Sequence, residues 1–216
     1  MVNGQDWREV TDKLVQSATQ NIVNDAFIDQ LYNAVSHAEM GPQYLQAIGQ
    51  NHPYIRTSAA PAGGSSAYGP LQMTGGSGSM VSSIVNDPYH QLRKYKGGFS
   101  PEELEYMDRF LLQGQNFLDY GKEPNKPGYD VKYDYSSKIP GSGAGDLSSL
   151  TDRALYDSIG KKILDYEFNQ QAGGDTSLFL KNWKMGSGKT MEDFDKWSTS
   201  KEAQAYIQRF NANLVQ

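Results

Sequence analysis

Apolar residues recur every three or four positions along much of the chain, which is the spacing of amphipathic helices. This spacing predicts a helix over Asp6–Val23 and a second over Asn24–Glu39. The stripe predicted to face the core in the second helix consists of Phe27, Leu31, Tyr32, Val35 and Ala38. Gly41 and Pro42 should end that helix, because glycine permits a left-handed C-terminal turn and proline cannot continue it. Glu39 is therefore expected in the last turn.

The later part of the chain carries the same helical spacing with a long interruption. A helix start is encoded at Ser100, where proline follows the N-cap and Glu103 completes a capping box. The further predicted helices are Met80–Val85, Pro88–Tyr95, Pro101–Tyr120, Asp152–Phe168, Thr176–Met185 and Met191–Leu214. Glycine, serine and proline dominate from about 121 to 150, which predicts a loop insertion. We expect a mainly α class and a single domain over 1–216, with long Gly/Ser/Pro-rich loops.

Composition excludes several classes of function. The 216 residues can bury a core. A net charge of -5 without a basic stripe argues against nucleic-acid binding, and the chain has no cysteine for a disulfide or thiolate site. The 3 histidines are scattered, so no metal and no cofactor are expected. The sequence shows neither a membrane span nor a secretory signal. We expect a protein made in the cytoplasm and delivered to the cell envelope by another factor, or carried in a phage particle.

The stretch from Glu39 to Thr74 contains the most informative motif. Some thirty residues after the helix end comes a turn of small residues, Ser-Ser-Ala-Tyr-Gly-Pro-Leu-Gln-Met-Thr. Its Gly69 lets the backbone approach a ligand closely, and its Gln72 can both donate and accept hydrogen bonds. Tyr68 can stack on a sugar ring. An ordinary Gly-Pro turn, with its tyrosine and leucine packed inward, is the alternative reading of the turn alone.

A carboxylate followed by this turn resembles the catalytic core of the lysozyme-like lytic transglycosylases and goose-type lysozymes, in a divergent, phage-type form. In those families a glutamate ends a helix, and a Gly-Ala-x-Gly-x-x-Gln loop lines the glycan cleft. The resemblance implies a lysozyme-like helical fold with Glu39 as catalytic acid. It also implies substrate contacts from Ser66, Tyr68, Gly69, Gln72 and Thr74. Two features depart from the family: Met40 stands where a serine is usual, and the interval to the loop is longer.

A second match lies near the C-terminus. Trp183-Lys-Met-Gly, followed by Tyr206, resembles the family's Tyr-Asn-x-Gly turn and the tyrosine of its closing helix. The resemblance implies that Trp183 and Tyr206 line the sugar site, with Lys184 replacing the asparagine. A core tryptophan before a helix-ending glycine explains the same residues equally well.

The implied function is cleavage of the β-1,4 bond between N-acetylmuramic acid and N-acetylglucosamine in peptidoglycan. A hydrolase usually needs a second carboxylate, whereas a lytic transglycosylase uses one glutamate as acid and then as base. Asp87, Asp119 and Asp146 are each possible partners, and the spacing singles out none. The single-acid transglycosylase is slightly favoured. The size of the chain, without a signal or wall-binding repeats, suggests a phage endolysin or virion-associated lysin, and a bacterial secretion-apparatus enzyme is the alternative source.

The alternative function belongs to another class. It is a non-catalytic phage structural or assembly protein that uses the same scaffold to bind glycan or a virion protein. The acidic net charge favours it, since enzymes that act on an anionic wall tend to be basic.

Overall fold

The computed structural model describes residues 7–41, 69–74, 79–122 and 150–214. Over these ranges the chain is mainly helical and contains no extended strand, which confirms the mainly α class for this part of the protein. The helices are α1 Trp7–Met40, α2 Met80–Asn86, α3 Pro101–Lys122, α4 Leu150–Tyr166, α5 Thr176–Met185, α6 Met191–Ser198 and α7 Lys201–Leu214. Two 3-10 turns, Gln91–Arg93 and Tyr95–Gly97, precede α3, and a π-helical turn, Glu167–Gln171, follows α4.

Helix α1 is one continuous helix, so the predicted division between Val23 and Asn24 is wrong. No glycine or proline occurs between Trp7 and Met40, and nothing in the backbone therefore interrupts the helix. Asn24 lies inside this helix and is not the first residue of a second one. Its side-chain oxygen instead accepts a hydrogen bond from the Asn169 side chain at 3.4 Å.

The carboxyl end of α1 is fixed by a glycine and by an arginine from α7. Gly41 has φ +54°, and its N–H donates to the His37 carbonyl at 3.0 Å, which confirms the predicted glycine stop. The Arg209 guanidinium donates to the carbonyls of His37 at 3.2 Å and Ala38 at 2.9 Å. These bonds satisfy carbonyls that a helix end leaves unpaired, and they hold α1 against α7.

One apolar core contains side chains from each of the helices α1 to α7. Its fully buried side chains come from helices distant in sequence, so the core rather than local propensity brings them together. Among the most buried members are Leu31, Val35, Ile84, Tyr106, Phe110, Tyr156, Ile159, Phe179 and Phe210.

The start of α3 carries the predicted capping box and links this helix to α4. The Ser100 N–H donates to Glu103 Oε2 at 2.6 Å, and the Glu103 N–H donates to Ser100 Oγ at 3.2 Å. The buried Glu103 carboxylate also accepts hydrogen bonds from Ser158 Oγ and Lys162 Nζ, both at 2.6 Å. A local cap therefore also serves as a tertiary contact.

Two other predicted helices differ from the structure. The helix predicted over Met191–Leu214 is two helices, because Ser200 Oγ accepts a hydrogen bond from the Ala203 N–H at 3.1 Å and caps a new start. The helix predicted over Pro88–Tyr95 is replaced by the two short 3-10 turns.

The predicted loop insertion can be compared with the structure only at its edges. Helix α3 continues to Lys122, and α4 begins at Leu150. Residues 123–149 lie outside the described ranges. None of the described helices is both long and apolar enough to cross a membrane.

The Glu103 contacts predict a pH-dependent contribution to stability. Burial acts to raise the pKa of the Glu103 carboxyl, but Lys162, Ser158 and the Ser100 N–H bind the ionised form and lower the pKa overall. A lowered pKa stabilises the fold above the ordinary value, and the stabilisation is lost as pH falls through the folded value. We expect Glu103→Gln to lower the free energy of unfolding by about 1–3 kcal/mol at neutral pH. Urea unfolding should show this deficit shrinking below about pH 4.

The matched control is Glu105→Gln, an exposed glutamate on the same helix. It should change the free energy of unfolding by less than about 0.5 kcal/mol. Equal stability of the Glu103→Gln and Glu105→Gln variants at neutral pH would contradict the assigned role of Glu103.

Candidate functional site

The Glu39 carboxylate lies in the last turn of α1 and is bound by three side chains from other helices. Oε1 accepts hydrogen bonds from Trp183 Nε1 at 3.1 Å and from the Tyr206 hydroxyl at 2.8 Å. Oε2 accepts one from Lys184 Nζ at 3.1 Å. The Glu39 side chain is only 11% exposed, and all three contacts come from donors, so they match an ionised carboxylate. We call these four residues the Glu39 cluster.

Aromatic packing holds the donors of the cluster in place. The Trp183 ring stacks on Phe179 with centroids 6.0 Å apart, and Tyr206 meets Trp197 edge-on at 6.0 Å. Lys184 Nζ lies 4.6 Å from the centroid of the Tyr206 ring, within cation–π range. Burial, and then the Glu39 charge, raise the pKa of Tyr206 far above its ordinary value. The Tyr206 hydroxyl therefore keeps its proton and stays a donor.

A cleft of about 930 Å³ opens beside Glu39, Trp183 and Lys184. Ligand pockets commonly measure about 300–1,000 Å³, so this cleft has room for an extended ligand. Carboxyl groups in the lining belong to Glu39, Asp87 and Glu167. Most other polar lining residues are uncharged hydrogen-bonding groups: Gln72, Thr74, Ser83, Gln91, Tyr166, Gln171, Asn182 and Ser187. Such a lining suits a neutral ligand rich in hydroxyl and amide groups.

The turn that precedes Gln72 is held tightly against α4. Gly69 has φ +73°, and a Cβ added there would lie 2.4 Å from a ring carbon of Tyr156. The Tyr156 hydroxyl accepts a hydrogen bond from the Leu71 N–H at 3.2 Å. One turn further along α4, a Cβ at Gly160 would lie 2.5 Å from Leu71 Cδ1. Two glycines therefore permit this close approach of turn and helix.

Gln72 closes the turn in an unusual backbone conformation. Its φ is 50°, in the region that non-glycine residues rarely adopt. Its backbone N–H and its side-chain Nε2 donate to the Gly69 carbonyl at 3.0 and 2.7 Å. Such outliers cost about 1–3 kcal/mol and cluster at ligand sites. Here the strained residue lines the cleft.

The structure brings together several residues that the motifs predicted as one site. Four of them line the cleft: Glu39, Gln72, Thr74 and Trp183. Tyr206 contacts the Glu39 carboxylate and is not among the lining residues, and Gly69 shapes the turn. Ser66 and Tyr68 lie outside the described residues.

Two of the three aspartates considered as partner acids can be placed. Asp87 lines the cleft but is exposed, and its Oδ1 accepts a hydrogen bond from the Tyr89 N–H at 2.8 Å. Asp119 belongs to α3, but its side chain lies outside the described residues. Asp146 is outside the described ranges.

Sequence reasoning missed two charged residues of the site. From the sequence, Lys184 is only the residue that replaces an asparagine of the family, yet in the structure it forms an ion pair with Glu39. Glu167 was not considered, although it lines the cleft and is only 8% exposed. Ile159 and Ile163 precede it at four-residue steps on the buried face of α4, and this spacing was the available signal.

The described ranges contain no group of three or more histidine, cysteine, aspartate or glutamate side chains arranged to hold a metal ion. A scan against protein-family models, a search of curated proteins and a search of solved structures found no match to this chain. The likeness to lytic transglycosylases and goose-type lysozymes therefore stays a prediction from the motifs.

The close contact at Gly69 predicts a large effect of one added methyl group. Gly69→Ala combines a left-handed backbone, which costs about 1–2 kcal/mol, with overpacking against Tyr156, which adds about 1–3 kcal/mol. Gly173→Ala is the matched control, because Gly173 has φ +59° but nothing within 4 Å of the added Cβ. Urea unfolding should show a greater loss of stability for Gly69→Ala. Equal losses would mean that the turn is not packed on Tyr156 as described.

Proposed function

We propose that this protein cleaves the β-1,4 bond between N-acetylmuramic acid and N-acetylglucosamine in peptidoglycan, with Glu39 as its catalytic carboxyl. One observation carries the proposal: Glu39 lies in one cleft with Gln72 and Thr74, the loop residues that the motif pairs with it. A chance resemblance would give no reason for these distant segments to share a cleft.

The Glu39 carboxyl gives up a proton and later takes one back in the proposed reaction, and the three donors of the Glu39 cluster stabilise the carboxylate that exists between these two steps. In the proposed reaction Glu39 protonates the leaving glycosidic oxygen as the bond from that oxygen to C1 breaks. The carboxylate then accepts the proton of the muramoyl 6-hydroxyl while the 6-oxygen bonds to C1, which yields a 1,6-anhydro end. Lys184 stabilises the carboxylate present between the two transfers, and Trp183 and Tyr206 fix its orientation.

The lining of the cleft supports a glycan as the ligand. Amide side chains, here Gln72 and Asn182, can bind acetamido groups and sugar hydroxyls in both directions. The aromatic residues Trp183 and Tyr89 also line the cleft. Tyr89 is 79% exposed, so its ring is available to stack on a sugar.

A second candidate function is favoured by the ion pair between Lys184 and Glu39. Three donors already bind this carboxylate. A carboxylate held in this way can serve to stabilise the packing of the helices instead of donating a proton to a substrate. The alternative is therefore a phage structural or assembly protein that binds glycan or a virion protein in the cleft without cleaving it. This alternative predicts binding that survives Glu39→Gln.

The two functions separate in an assay with purified peptidoglycan sacculi. We expect the wild-type protein to release muropeptides with 1,6-anhydro ends, detected by mass spectrometry. Glu39→Gln should lower the release rate by about 10²–10⁴-fold, because an amide cannot transfer the proton. Glu105→Gln, which lies outside the cleft, should keep full activity, and circular dichroism should show both variants folded.

Other results of this assay would redirect the assignment. Reducing muramic ends would indicate a hydrolytic lysozyme with a second carboxylate. Wild-type protein that binds sacculi without releasing fragments would support the non-catalytic scaffold. Full activity in Glu39→Gln would remove Glu39 from the mechanism.

The exposed ring of Tyr89 predicts a contribution to glycan binding. Tyr89→Ala should raise KM for soluble glycan strands several-fold with little change in kcat, because a stacking surface is lost while the catalytic carboxyl is untouched. Tyr89→Phe keeps the ring and should keep KM near the wild-type value. Equal KM values for the Ala and Phe variants would show that sugar does not stack there.

A further inference from the structure

A second carboxyl, that of Glu167, lies in the cleft on the π-helical turn Glu167–Gln171. The Glu167 carbonyl accepts a hydrogen bond from the Ala172 N–H at 2.9 Å, and this five-residue step widens the helix at the end of α4. Single π-turns of this kind occur frequently at functional sites. The turn places Glu167 among the lining residues, beside Tyr166 and Gln171.

Glu167 differs from its buried neighbour Asp165 in having no partner. Both residues are 8% exposed. Asp165 accepts hydrogen bonds from Lys96 Nζ at 2.7 Å and from Asn169 Nδ2 at 2.6 Å. Over the described ranges, no hydrogen bond or ion pair reaches the Glu167 carboxyl. Burial of most of the Glu167 side chain without a partner disfavours its charged form, and it raises the pKa of the carboxyl above its ordinary value.

The other titratable groups that line the cleft do not cause the raised pKa of Glu167. They are Glu39, Asp87, Tyr89, His90, Tyr166 and Lys184. Burial alone raises the pKa of Glu167, without a contribution from a neighbouring charge. The Tyr166 hydroxyl is already engaged: it donates to Gln91 Oε1 and accepts from Gln171 Nε2, both at 2.6 Å.

We propose that Glu167 binds the glycan as a neutral carboxylic acid, donating its O–H to an acetamido or hydroxyl oxygen of the bound sugar. The inference rests on the proposed glycan site, because it needs a ligand with acceptor oxygens in the cleft. A protonated carboxyl offers one donor as well as acceptor capacity. Because no group among the described residues binds the Glu167 carboxyl, its O–H is available to donate a hydrogen bond to the ligand. Glu167 is therefore a determinant of sugar binding, separate from the proton transfer assigned to Glu39.

The test compares Glu167→Gln, which keeps the size and a donor but does not titrate, with Glu167→Ala, which removes the donor. The probe is a soluble oligosaccharide of alternating N-acetylglucosamine and N-acetylmuramic acid, with Kd measured by calorimetry from about pH 4 to about pH 9. Any cleavage is suppressed by introducing Glu39→Gln into every protein. Thermal unfolding is recorded first to establish that each variant is folded.

With Glu167 intact, Kd should rise on the order of tenfold as pH increases through the raised pKa, because the ionised carboxylate loses its donor. The Glu167→Gln variant should bind tightly with a flat profile, and Glu167→Ala should bind weakly throughout. Histidine side chains also change charge in this window, so His90→Asn is titrated in parallel. It should keep the pH dependence that Glu167 causes.

The failures of the two proposals are distinguishable. The same pH profile with Glu167 and with Gln at this position would overturn the role of Glu167, while measurable Kd values would still support a glycan site. No binding of the oligosaccharide, by these proteins or by the otherwise unaltered chain, would overturn the glycan site and this inference together.

Discussion

Burial of the Glu39 carboxylate is the constraint on which the site depends. A carboxylate removed from water costs several kcal/mol unless charged or hydrogen-bonding partners replace the water. The chain supplies these partners from α5, which carries Trp183 and Lys184, and from α7, which carries Tyr206. Three residues beyond Tyr206, Arg209 binds the last carbonyls of α1. Positions three apart share one face of a helix, so a single face of α7 holds both the carboxylate and the end of its helix.

Helix α4 and the π-helical turn after it also contribute to the cleft, through Ile163, Tyr166 and Glu167. Tyr156 and Gly160, one turn apart on α4, pack against the Gly69–Gln72 turn. These contacts hold the turn in place, and the strained backbone of Gln72 is therefore retained. The same helix ends in the π-helical turn that carries Glu167. The cleft thus contains two carboxyls in contrasting environments. Glu39 is surrounded by donors, whereas Glu167 is buried without any partner among the described residues. Carboxyls in such different surroundings are suited to different roles.

The sequence predicted best where local chemistry decides the structure. The Ser100 capping box, the glycine stop after Glu39 and the bounds of Thr176–Met185 all follow from short-range signals. It predicted poorly where tertiary contacts decide. Asn24, the predicted first residue of a second helix, instead lies inside one long helix and accepts a hydrogen bond from Asn169. The motifs predicted Glu39, Gln72 and Trp183 as one site, and all three residues line the cleft. They did not predict the ion pair with Lys184, or Glu167, because the partners of a buried charge are set by packing between distant helices.

The central claim is that a glycan occupies the cleft against the Glu39 cluster, and the Trp183 indole N–H reports on this directly. The chain has 3 tryptophans, so a ¹H–¹⁵N NMR spectrum contains few indole signals, and Trp183→Phe assigns the relevant one. Titration with soluble peptidoglycan fragments should shift the Trp183 signal in a saturable manner. The signal of Trp197, which does not line the cleft, should move much less. A Trp183 signal that stays unchanged at high fragment concentration would contradict the claim.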